Sequence, residues 1–186
     1  MTAFSEFDQI PLFKYDFIMA DPPWAYENWS KAGEGKNAAQ KYDCMSLDDI
    51  KAMQVGSLMQ PDSLLWLWAT NPMLPQALEV MEAWGFVFKT AGTWAKMTSK
   101  GNQHFGTGYL LRSACEPFLI GTIGNPKTNR STRSCVMAPV REHSRKPDKA
   151  FIEAEHLMPF ATRLELFSRQ ERDKWDVFGN EVGKFE

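Results

Sequence analysis

The sequence predicts an α/β fold with a mainly parallel sheet and helices on both of its faces. Short apolar runs at residues 16–20 (DFIMA), 63–69 (SLLWLWA) and 163–167 (RLELF) alternate with helical stripes, and prolines follow the first two runs. Apolar runs of strand length mark strands buried on both sides. Strands alternating with helices join parallel neighbours through crossovers, which puts the helices on the faces. With 186 residues and 44% hydrophobic content, one core is readily filled and two are not. Residues 1–186 are therefore expected to form a single domain.

Asp16–Ala20 runs into Asp21-Pro22-Pro23-Trp24, and because proline has no N–H to give a ladder, the chain must leave the sheet there. Residues 25–45 are small, polar and glycine-containing, and they exceed an ordinary connection of about 4–6 residues. Such loops are lids or disordered. Ser46, with Asp49 three residues on, caps a helix starting at Leu47, and Leu47, Ile50, Met53 and Leu58 fall near helical spacing until Pro61-Asp62 breaks it. Residues 63–69 read as the next strand, ended by Thr70-Asn71-Pro72. Leu74, Leu78, Met81 and Trp84 form a stripe closed by Gly85. Residues 86–96 are one strand, or two divided at Gly92. Residues 117–123 are another strand, 147–158 a helix and 163–167 the final strand. Ligands of such sheets bind beyond the carboxyl ends of strands, so residues 21–24, 70–72 and Ser168-Arg169 are expected to converge on one cleft.

Net charge is −2, but it divides unevenly. Residues 1–95 carry 6 Lys/Arg against 12 Asp/Glu, residues 96–149 carry 10 against 3, and residues 150–186 carry 5 against 8. The middle segment, net +7, holds Arg112, Lys127, Arg130 and Arg133 among Gly, Ser, Thr and Asn, and suits sequence-independent phosphate contacts. A solvated loop balanced by acids across the fold is the other reading. The N-terminus lacks a secretory pattern, and no stretch approaches the roughly 18 apolar residues of a membrane span, so a soluble, cytoplasmic protein is expected. Cys44, Cys115 and Cys135 are odd in number and widely spaced, which argues for reduced structural thiols and no metal site.

Asp21-Pro22-Pro23-Trp24 has the chemistry to handle an aromatic amine, whose nitrogen lone pair is spread into its ring. Such a nitrogen becomes a nucleophile only when held in a geometry that localises the pair, so orientation and electrostatics do the work. The Asp21 carboxylate can accept one N–H and the Pro22 carbonyl the other. Both prolines have φ fixed and no donor, so the turn is stiff. Trp24 can offer a flat wall for a purine. The alternative is a plain strand-ending turn with a core tryptophan.

Seven blocks in order broaden the pattern: DPPWAYENW, KYDCMSLDDI, LLWLWATNPMLPQALEVMEAWGF, TWAK, GTGYLLRSACEPFLIGTIGNP, HSRKPD and RLELFSRQERDKWDVFGNE. Across them the chain resembles the messenger-RNA adenosine N6-methyltransferase catalytic subunits (MT-A seventy type) and their compact bacterial and phage relatives. The resemblance implies a Rossmann-like methyltransferase fold of permuted motif order, with the catalytic block before the cofactor block. It implies S-adenosyl-L-methionine as methyl donor and adenine N6 in nucleic acid as target, DNA ahead of RNA. It places Asp21 against both the amine and the donor, Lys146 at the methionine carboxylate, and Arg169, Asn180 and Glu181 around the ribose and adenine of the donor. Tyr26 and Tyr42 join Trp24, Arg112, Lys127, Arg130 and Arg133 as expected substrate contacts.

The chain departs from the family in places. Glu171 and Arg172 stand where the animal enzymes have His-Asn, and Lys41-Tyr42 where many bacterial relatives have His-Tyr. Glu165, between Leu164 and Leu166, faces either the cleft or solvent. His104, His143 and His156 match no catalytic position. A noncatalytic nucleic-acid-binding subunit is the rival reading, which an intact Asp21, Trp24 and Lys146 oppose. No membrane partner is expected, and the oligomeric state is open, a homodimer being one option.

Overall fold

The computed structural model describes residues 1–25, 44–108, 110–142 and 145–185. The predicted long loop lies almost entirely outside them, as do Tyr26, Tyr42 and His143.

Among the described residues, eight strands form one sheet: β1 (Ala3–Phe4), β2 (Tyr15–Ala20), β3 (Met59–Trp68), β4 (Val87–Met97), β5 (Cys115–Ile123), β6 (Cys135–Pro139), β7 (Arg163–Leu166) and β8 (Trp175–Phe178). The order is β1-β8-β7-β2-β3-β5-β4-β6. Only β5 runs against its neighbours, β3 and β4; all other pairings are parallel. The mainly parallel sheet is thus as the sequence predicts, with one reversal that it does not reveal.

Among the described residues, three α-helices pack on this sheet: α1 (Leu47–Ala52), α2 (Leu74–Ala83) and α3 (Asp148–Leu157). In β2 and β3 the side chains alternate between two cores. Ile18, Ala20, Leu65 and Leu67 meet Ile50 of α1 and Ala77, Val80 and Met81 of α2 on one face. Met19, Leu64, Trp66 and Trp68 meet Ala150, Phe151 and Ala154 of α3 on the other. This two-sided burial is why these strands read as unbroken apolar runs. Among the described residues, no helix is long and apolar enough to cross a membrane.

The cap at Ser46 forms as its spacing predicts: its side chain accepts from the Asp49 N–H, and α1 starts at Leu47. The structure also departs from the sequence expectations in the following ways. First, β3 begins at Met59, with Pro61 and Asp62 exposed inside it. The register slips between Tyr15 and Phe17 of β2 at this level, and a proline is tolerated where the ladder is already broken. Second, α2 buries Ala77 rather than Leu78, which is 42% exposed. Small Ala77 lets the helix lie close to the sheet. Third, β1, β6 and β8 are too short or too polar to read from pattern, and they gain strand form from pairing with β8, β4 and β7.

Candidate active site

The carboxyl ends of β2 and β7 lie side by side, Ala20 against Leu166. From β2 the chain crosses to β3 on one flank, while β7 and β8 occupy the other, so a crevice opens where the strand order diverges. Asp21 follows β2, and its N–H reaches the Leu166 carbonyl at 3.4 Å. Phe167 follows β7 with φ of 64°, a left-handed conformation that costs a bulky residue energy and tends to mark functional turns. That turn sends Ser168 and Arg169 over the crevice. Asp21, Lys146, Glu165, Arg169, Arg145 and Phe185 are among its lining residues.

Lys146 is the electrostatic centre. Its Nζ lies 2.6 Å from Asp21 Oδ2 and 2.9 Å from Glu116 Oε1, and Glu116 Oε2 also takes Lys96 at 2.7 Å. The chain of charge runs Asp21–Lys146–Glu116–Lys96. The Lys146 side chain is only 8% exposed and its Nζ stands 5.5 Å over the Trp68 ring. Burial disfavours its charge, but the two carboxylates outweigh that and raise its pKa. Burial likewise pushes Glu116 up, and Lys146 and Lys96 reverse it to a net lowering. For Asp21, burial wins over Lys146 and, with Glu116 adding repulsion, leaves its carboxyl above the ordinary range.

Glu165 resolves inward. It lines the crevice, accepts from the Ser168 hydroxyl at 2.9 Å, and is pushed up to about 7, chiefly by burial. Arg169 Nε contacts Glu181 Oε2 at 3.2 Å, and Asn180 is exposed beside it. In place of the animal His-Asn pair, Arg172 lies over the Phe151 ring at 3.7 Å and bonds Asp148 at 2.9 Å.

Trp24 departs from its expected role as a stacking wall. It is 5% exposed, sits in the core with Leu67 and Ile50, and its indole N–H donates to the Trp68 carbonyl at 3.2 Å. Burial of a large ring with its donor satisfied is the stable outcome, and it matches the core-tryptophan alternative. The Pro22 carbonyl accepts the Trp24 N–H at 2.8 Å and the Pro23 carbonyl accepts Met45 N–H at 3.1 Å. The prolines thus brace the turn.

The expected cationic contacts divide between the two ends of the sheet. Arg112 belongs to the β4–β5 connection, which rises at the Asp21 end because Cys115 opens β5 there. Lys127 and Arg130 do not join it, while Arg133 precedes β6, whose Cys135 pairs with Thr93 near the level of Phe118 but at the edge of the sheet. Because β5 is reversed, its last residue Ile123 pairs with Ser63, whereas its Phe118 pairs with Trp68 beside the site. Five residues of strand separate those levels by about 17 Å. The loop after Ile123 then bonds Asn129 N–H to the carbonyl of Leu157 at the far end of α3. Arg133 lines a separate cavity of about 390 Å³ near Trp66 and Phe118.

Glu116 is the residue that sequence reading missed. Its signal was present: it is the one acid between Lys96 and Arg141 in an otherwise cationic segment, set at the start of an apolar run where an unpaired carboxylate is costly.

The MT-A70 family matches residues 15–181. The chain belongs to the MT-A70 family. Its relatives include the N(6)-adenosine-methyltransferase MT-A70-like protein of Arabidopsis thaliana, 32% identical over 173 residues, which are 90% of this chain and 24% of that protein. The Type II methyltransferase M.MunI of Mycoplasma sp is 29% identical over 194 residues, covering 95% of this chain and 81% of that enzyme. The human N(6)-adenosine-methyltransferase catalytic subunit METTL3 is 27% identical over 92% of this chain and 29% of its own length. This MT-A70 chain therefore spans about a quarter of the plant and human relatives and most of the Mycoplasma one. Family membership brings a methyl donor and a nucleic-acid substrate into consideration for the crevice.

Proposed function

We propose that this chain, folded as one catalytic domain, transfers a methyl group from S-adenosyl-L-methionine to the N6 amino group of adenine in DNA. One observation carries the reading: the half-buried Asp21 carboxylate, paired with Lys146 at the end of β2, opens onto a crevice that also presents Glu165 and Arg169. The match over 81% of M.MunI, whose name is that of a Type II methyltransferase, favours DNA. The RNA reading draws on the relatives named N(6)-adenosine-methyltransferase. A retained Asp21 and Lys146 weigh against a noncatalytic subunit.

The residues fit the donor chemically. Carboxylates at Glu165 and Glu181 suit hydroxyl or ammonium groups, and cations at Lys146 and Arg169 suit a carboxylate. Free space in the crevice is about 20 Å³, so seating the donor requires the Arg145 guanidinium and the Phe185 ring beneath it, 4.9 Å apart, to swing aside. When bound, the donor supplies an electrophilic methyl on a sulfonium, which needs no acid to leave.

Asp21 accepts an N–H of the adenine amine and fixes its direction. Its raised pKa also makes it a better proton acceptor once the nitrogen becomes cationic, and Lys146 keeps the neighbouring field positive enough to hold a carboxylate there beforehand. Pro22 and Pro23 keep Asp21 from following the substrate, so the geometry is set before binding.

The test is methyl transfer to matched DNA and RNA oligonucleotides, followed by base-resolved mass analysis. N6-methyladenine in DNA with wild-type protein, lowered at least ~100-fold in Asp21→Ala, is the expected result. Label confined to cytosine, or undiminished turnover by the variant, would overturn it.

A further inference from the structure

We propose that the β4–β5 connection, residues 97–115, is a duplex-engaging arm that sets an apolar tip against DNA bases beside the reaction site. The proposal rests on the DNA reading above and adds the element that would hold and open the duplex.

Among its described residues, 97–108 and 110–115, backbone bonds brace the stem of the arm. Met97 pairs with Gln103 in an antiparallel bridge, His104 N–H reaches the Lys96 carbonyl at 2.8 Å, and Gly106 N–H reaches Ser113 at 2.9 Å. Its base is tied to the catalytic charges: Lys96, where it leaves β4, and Glu116, where it joins β5, bond each other, and Glu116 bonds Lys146. The arm thus springs from the end of the sheet that carries Asp21.

Its surface has two properties that rarely coincide by accident. Phe105, Leu110 and Leu111 are 76%, 87% and 85% exposed, large apolar groups held in water at the tip. From Met97 to Cys115 no residue is acidic, while Lys100 and Arg112 are cationic and exposed. Arg112 also stands 5.4 Å over the Phe105 ring, so charge and apolar surface form one patch. An apolar protein partner would not call for an acid-free cationic border, whereas a polyanion with apolar base faces does. Apolar side chains that enter a duplex do so at unstacked steps while neighbouring cations hold phosphates. An enzyme acting on a base needs that unstacking.

The test uses the full chain and a short mixed-sequence duplex containing 2-aminopurine, with binding read by anisotropy and unstacking by fluorescence. Wild type should bind and raise the fluorescence. Leu110→Ser with Leu111→Ser should weaken binding about tenfold, on the scale of one lost base contact, and remove the rise. Arg112→Ala should weaken binding and reduce the salt slope by about 1. Both tip positions are exposed, so the melting temperature should hold. Two results overturn the arm: no duplex binding by wild type, or unchanged binding and fluorescence in the double variant. Self-association lost in that variant, with DNA affinity intact, also overturns it and assigns the tip to a protein contact. Methyl transfer is assayed alongside. Binding and unstacking without transfer to adenine would sink the proposed activity and leave the arm standing.

Discussion

Lys146 Nζ and Asp21 Oδ2 lie 2.6 Å apart, although 125 positions separate them in the chain. The contact joins the turn after β2 to the segment before α3, and Glu116 completes it from β5. Removing the lysine leaves the half-buried Asp21 carboxylate without its closest cation, while Glu116 keeps Lys96, so Lys146→Met should destabilise the fold by about 1–3 kcal/mol. Urea denaturation reads this directly. Lys146→Met with Asp21→Asn should recover part of the loss, since the stranded charge is gone; no recovery would show that the two residues are not coupled.

Glu165 titrates near neutrality, at about 7 against an ordinary 4.5. Its pKa is raised in the folded state, so the folded protein binds the proton more tightly. The stability contribution is therefore full below about pH 4.5 and is lost as pH rises through about 7. Glu165→Gln stays neutral and should gain up to about 3 kcal/mol over wild type above that window, and nothing below it. Stability curves that run parallel across pH would show that Glu165 is an ordinary solvated carboxylate.

Gly179 follows β8, and a Cβ there would meet the Ser168 carbonyl oxygen at 2.2 Å. Only glycine allows the ends of β7 and β8 to approach so closely. Gly179→Ala should cost about 1–3 kcal/mol and displace Ser168 and Arg169. Donor affinity by calorimetry should fall in that variant, and an unchanged affinity would remove this turn from the donor crevice.

Trp24→Phe separates a core role from a base platform. Loss of the bond to the Trp68 carbonyl leaves that buried acceptor unsatisfied, at about 1–3 kcal/mol. A lowered urea midpoint with KM for DNA nearly unchanged is expected. A raised KM at constant stability would return Trp24 to the substrate.

Lys127→Gln and Arg130→Gln together should leave duplex affinity within about twofold, because their part of the loop leaves the sheet about 17 Å along the strands from the site. A large drop in the salt dependence of binding would instead show that DNA wraps to the far end of the sheet.

Local chemistry was readable from the sequence. The Ser46 cap, the apolar runs of β2 and β3, and the rigid Asp21-Pro22-Pro23 turn depend on neighbours in the chain, and the structure forms each of them. Side-chain placement was not readable in the same way. Trp24 could equally line a cleft or fill a core, and Glu165 could face either side of its strand end, because period alone does not say what covers each face.

By itself the sequence determined the α/β alternation and put Asp21 at a strand end, since two consecutive prolines after an apolar run leave a ladder without two successive donors. The tertiary structure alone decided which charges meet. One reversed strand, β5, brings Glu116 to Lys146 and carries Lys127 and Arg130 to the opposite end. Strand direction is set by packing and pairing across the sheet, and no residue of β5 encodes it locally.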